Sequence, residues 1–68
     1  MKLYIELEDK KGLAATYGNY GFCHFNENNF DSACVYLQKS LSIYIDIDDK
    51  EGIAHTNNQL ANVYFKMN

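Results

Sequence analysis

Four acidic residues crowd together at Asp46, Asp48, Asp49 and Glu51, side chains of the type that hold calcium. A helix–loop–helix calcium site needs oxygen donors at alternate positions and a glycine at the sixth. Counting from Asp46, Lys50 falls fifth and Glu51 sixth, so the pattern fails and the stretch reads as a solvated turn with a helix cap. Cys23, His24, Cys34 and His55 are the residues from which a zinc site would be drawn. Neighbours such as Cys23 and His24 point about 100° apart on a helix, and the paired-cysteine spacing of structural zinc sites is missing. A Cys23–His nucleophilic pair lacks an acidic residue at a spacing that would orient the base. Gly18 and Gly21 lack the preceding strand and the companion glycine of a phosphate-binding loop. The six tyrosines could stack on bases, but the six lysines are scattered, arginine is absent and the net charge is −3. Nucleic-acid binding needs the clustered cations that this chain lacks. No catalytic residue, metal or cofactor is expected, which leaves recognition as the chemistry to look for.

The elements that would position a recognition surface come from an internal repeat. Asp9-Lys10-x-Gly12-x-Ala14-x-Thr16 returns as Asp49-Lys50-x-Gly52-x-Ala54-x-Thr56. Sliding residues 3–28 over 43–68 also matches Tyr4 with Tyr44, Ile5 with Ile45, Phe25 with Phe65 and Asn28 with Asn68. A fixed period of this size marks stacked structural units. The expected division is therefore the end of a preceding helix at 1–8, one full repeat at 9–48, and the first helix of the next repeat at 49–68.

Composition agrees with a small folded unit. Sixty-eight residues make at most one domain, and a hydrophobic share of 47% is too high for a disordered tail. No apolar run approaches the roughly 18–20 residues of a membrane span, and no signal-peptide core follows Met1-Lys2-Leu3. Two cysteines without a CxxC pair suit a reducing compartment, so cytoplasm is the expected location.

Three helical stretches follow. The first should run from about Lys10 to Glu27, with Asp9 or its neighbour as N-cap and Leu13, Ala14, Tyr17, Tyr20, Gly21 and His24 along its buried side. Asn28 and Asn29 should stop it and cap the next, giving an antiparallel hairpin. The second, about Phe30 to Ile47, carries Phe30, Ala33, Cys34, Leu37, Leu41, Tyr44 and Ile45 on one stripe. Val35, Tyr36, Ile43 and Ile47 add a further apolar surface, so this helix should be sandwiched. The third, about Lys50 to Met67, buries Ile53, Ala54, Leu60, Ala61 and Tyr64, with a capping-box spacing at Asp48-x-x-Glu51.

Tyr17-x2-Tyr20-Gly21-x2-His24, then Ala33-x3-Leu37, then Asn57-x2-Leu60-Ala61-x2-Tyr64 resemble the W-x2-L-G-x2-Y and A-x3-F pattern of the tetratricopeptide repeat. Gly21, Ala33 and Ala61 occupy the positions of close helix approach. The repeat differs in having Ile45 where the family has proline, and a period of 40 in place of 34. A HEAT or armadillo-type array has a similar period and is the alternative. The resemblance implies an all-α, right-handed solenoid fragment of antiparallel helical hairpins that scaffolds protein–protein contacts. A peptide or partner helix would lie on its concave face.

That face is expected about 180° from Tyr17, Tyr20 and His24: Ala15, Gly18, Asn19, Phe22 and Asn26 on the first helix, and His55, Asn58, Gln59, Asn62 and Lys66 on the third. The amides can both donate to and accept from a peptide backbone, and Phe22 is an apolar ring on a polar face. With Lys66 its only lysine, the face does not suit a carboxylate clamp. The alternatives are a self-association module and a peptide-sensing regulatory domain. About three repeats are normally needed to bury such faces, so a homo-oligomer formed by stacking, or by straightening the turn at 48–50 and swapping helices, is also expected.

Overall fold

The computed structural model describes residues 2–67, with side chains from Asp9 onward. Three α-helices follow one another: α1 (Lys2–Asn26), α2 (Phe30–Asp46) and α3 (Lys50–Met67). No strand occurs among the described residues, and the fold is all-α, built of helical hairpins. No described helix is long and apolar enough to cross a membrane.

The two turns are built alike. Where α1 ends, the Asn29 amide donates to the His24 carbonyl at 2.8 Å and the Asn28 amide to that of Phe25 at 3.0 Å. Where α2 ends, Asp49 donates to Tyr44 at 2.9 Å and Asp48 to Ile45 at 3.1 Å. This is the Schellman arrangement, which needs a left-handed residue just past the helix. Asn28 (φ 65°) and Asp48 (φ 56°) supply it, since short polar side chains tolerate that region best after glycine. Asp49 then caps α3, its Oδ1 accepting from the Gly52 amide at 3.2 Å. The cap is Asp49, not the Asp48–Glu51 box that the spacing suggested. Asn29 holds the cap position of α2 without a side-chain cap bond, and its Nδ2 lies 3.5 Å from Glu27 Oε1.

The break expected at 8–9 does not form: α1 runs unbroken through Asp9. The repeat puts Glu8 in the place of Asp48, and a longer side chain does not suit the left-handed conformation.

Packing follows sequence order, with α2 between α1 and α3, while α1 and α3 barely meet. Ala33, Leu37, Leu60 and Val63 form the core, with Phe25, Phe30, Cys34 and Leu41 packed around it. Small residues set the α1–α2 distance. A Cβ on Gly21 would come within 2.7 Å of Leu37 Cγ and 3.3 Å of the Ala33 carbonyl oxygen. Ser40, fully buried, donates its hydroxyl to the Ala14 carbonyl at 2.7 Å. On α3, a Cβ at Gly52 would collide with the Tyr44 ring.

Several expected core positions lie outside. Leu13 and Tyr20 are about half exposed, as are Ile45 and Tyr64, and Ala54 and Ala61 are exposed. Thr56 and Val63 are buried on α3 together with Leu60. Of the stripe expected on α1, Ala14 and Gly21 make the closest packing, and the buried face is turned away from Leu13 and Tyr20.

Candidate functional site

Because α1 and α3 both rest on α2, a groove lies between them. Its wider part, a cleft of about 160 Å³, is lined by Ala15, Gly18 and Asn19 of α1, Ser40 and Tyr44 of α2, and His55, Thr56 and Gln59 of α3. A smaller recess of about 50 Å³ is lined by Phe22, Phe25, Leu37, Gln59, Asn62 and Val63. Gln59 lines both.

The concave face drawn from the sequence is thus largely gathered here. Ala15, Gly18, Asn19, His55 and Gln59 line the cleft, and Phe22, Gln59 and Asn62 the recess. Asn26, Asn58 and Lys66 are exposed and line neither. Gly18 stands nearer the α2 interface than its expected opposite orientation, since a Cβ on it would sit 3.6 Å from Ser40 Oγ. Sequence reasoning missed Ser40, Tyr44 and Thr56 in the cleft. The readable signal was a hydroxyl inside each apolar stripe, at Ser40 and Thr56.

Chemically the two spaces differ. The cleft offers amide, hydroxyl and imidazole groups and no carboxylate. The recess is mainly apolar, closed by Phe22, Phe25, Leu37 and Val63 with two amides at its rim. Phe22 is 52% exposed, so a large apolar ring stands ready for contact beside groups that can hold a peptide backbone.

The remaining reactive side chains have structural surroundings. Asp46 pairs with Lys10 at 2.9 Å and Asp49 with Lys11 at 3.3 Å, tying the α2–α3 turn to α1. The Gly52 amide, and after it the Lys11 ammonium, hold the Asp49 carboxyl below its ordinary range. Cys23 is exposed, whereas Cys34 lies against Met67, with 3.8 Å between sulfurs. Burial, with Asp31 nearby, pushes the Cys34 thiol up and keeps it protonated. His24 stacks on Tyr36 with ring centroids 5.3 Å apart and planes 2° from parallel. Tyr17 and Tyr20 also pack on Tyr36, and the Lys39 ammonium lies 5.6 Å from the Tyr17 ring centroid. Among the described residues no three His, Cys, Asp or Glu side chains converge as metal ligands would.

The family profile of the tetratricopeptide repeat matches residues 12–68, most of the chain. No curated protein and no solved structure matches it. Such repeats generally mediate protein–protein interaction and are typically non-catalytic. By its paired small-residue contacts, its twin helical turns and this match, the chain belongs to the tetratricopeptide repeat family.

Proposed function

We propose that the groove between α1 and α3 binds an extended peptide segment of a partner protein. The backbone would lie along Asn19, His55 and Gln59, and one apolar side chain would enter the recess beside Phe22. The observation that carries this reading is the position of Gln59, which lines both a polar cleft and an apolar recess. Amides that both donate and accept suit the alternating groups of a peptide backbone, and a lining without lysine or arginine suits an uncharged stretch better than a terminal carboxylate. No step of bond making is involved. The thiols of Cys23 and Cys34 favour a reducing compartment such as the cytoplasm as the place where it acts.

A random twelve-residue peptide library, selected on the whole chain and counter-screened on Gln59→Arg, tests this. Selected peptides should share one apolar residue and lose at least about tenfold in affinity on Gln59→Arg, which crowds the junction. Peptides that bind both proteins equally would place binding elsewhere.

A further inference from the structure

Two cysteines and two methionines carry the sulfur of this chain, and the fold brings one of each together. Cys34 lies in the second turn of α2 and Met67 closes α3, yet Sγ and Sδ stand 3.8 Å apart. One turn away on both helices, Gln38 Nε2 donates to the Tyr64 hydroxyl at 3.0 Å. That bond, with the packing of Cys34 against the core, sets the distance between the helices at the sulfur pair. Cys34 is half-buried and Met67 is 47% exposed, so one sulfur is held in place and the other is reachable from solvent.

We propose that Cys34 and Met67 form a binding site for a soft monovalent metal ion, Cu(I). Thiolate and thioether together are the donors that select this ion, whereas zinc asks for further thiolates or imidazoles. Among the described residues no three His, Cys, Asp or Glu side chains gather to supply them. A metal–sulfur bond is about 2.3 Å long, so two such bonds meeting at about 110° span the observed 3.8 Å. That angle leaves a third position, which a small donor from solution fills. The unbranched methionine side chain, with three rotatable bonds, lets its sulfur adjust to the ion. Charge favours a monocation here. Burial, and after it Asp31, hold the Cys34 thiol protonated. On binding, the S–H bond breaks, the proton leaves to solvent and an S–Cu bond forms, with no change of oxidation state. Proton and Cu(I) carry the same charge, so the exchange leaves no uncompensated thiolate in the site. The ion then ties the end of α3 to α2. Neither sulfur lines the groove, so either site can fail without the other.

The test is an anaerobic titration of the whole chain with Cu(I), supplied as its acetonitrile complex, in competition with the coloured chelator bicinchoninate. Cys23→Ser, Cys34→Ser and Met67→Leu are titrated in parallel. The parent and Cys23→Ser should each hold one ion tightly and with the same affinity. Cys34→Ser should lose that ion. Met67→Leu, which conserves volume at a half-exposed position, should keep the fold and weaken the ion at least about tenfold. An unfolded chain can also bind copper through a thiol, so hydrogen exchange supplies a second readout. Cu(I) should slow amide exchange in the last turn of α3 in the parent and not in Met67→Leu. Three outcomes overturn the proposal. The first is equal affinity for the parent and Met67→Leu, which reduces the site to a single thiolate. The second is loss of the ion in Cys23→Ser, which moves it to the exposed cysteine. The third is a bound ion that leaves exchange at the end of α3 unchanged.

Discussion

Gly21 lies directly beneath Leu37, so close that a single added methyl would sit 2.7 Å from the leucine Cγ. Helix propensity alone favours Gly21→Ala by about 1 kcal/mol, whereas overpacking costs about 1–3 kcal/mol. Packing should win, and Gly21→Ala should lower the urea midpoint. A Cβ added at Gly12 would meet nothing within 4 Å, so Gly12→Ala should raise stability by about 0.5–1 kcal/mol. In a Leu37→Ala background the penalty of Gly21→Ala should vanish, because the colliding atoms are gone. Equal effects of alanine at positions 12 and 21 would refute the close approach.

The twin turns make a second prediction. Asn28 and Asp48 hold a left-handed backbone that β-branched residues resist. Valine at either position should destabilise by about 1–2 kcal/mol, while glycine should match or slightly exceed the parent. Thermal unfolding of the six proteins made by placing glycine, alanine or valine at each site gives the order. If valine is as good as glycine at Asp48, the turn is not as described.

Acid should weaken the α2–α3 turn through Asp49. Its carboxyl is held below the usual range chiefly by the Gly52 amide, then by Lys11. Below about pH 4 the unfolded chain takes up the proton first. The contribution is therefore full above the unfolded value and disappears as pH falls through the folded one. Asp49→Asn keeps a capping oxygen but cannot titrate, so its melting temperature should fall less steeply between pH 5 and pH 2. Parallel acid limbs for the two proteins would assign the loss to other carboxylates.

The residues that make these predictions also show what can be read from a linear sequence here. The helix bounds at Asn28 and Lys50 were legible because short polar residues sit where a left-handed turn and a cap need them. The start of α1 was not: Asp9 repeats Asp49, but a turn depends on its preceding residue, and Glu8 is not Asp48. The groove was mostly legible, because helical periodicity groups Asn19 with Phe22 and His55 with Gln59, and the family resemblance implies that these two faces share one concave surface. Its floor was not, since Ser40 and Thr56 are polar residues whose burial depends on how deeply the helices sink together. The same depth explains why Tyr20 and Leu13, large and apolar, ended outside while Gly21 went in.

With α2 as the sole bridge between its neighbours, order can be lost from one end at a time. Peeling α3 away uncovers Leu37 on its Leu60 and Val63 side but leaves its contact with Gly21 and the Ser40–Ala14 bond in place. Amide protons of α3 should accordingly exchange sooner than those at the centre of α1 and α2, as in a zip opened from its tail. Anything that settles on α3 would hold that end shut.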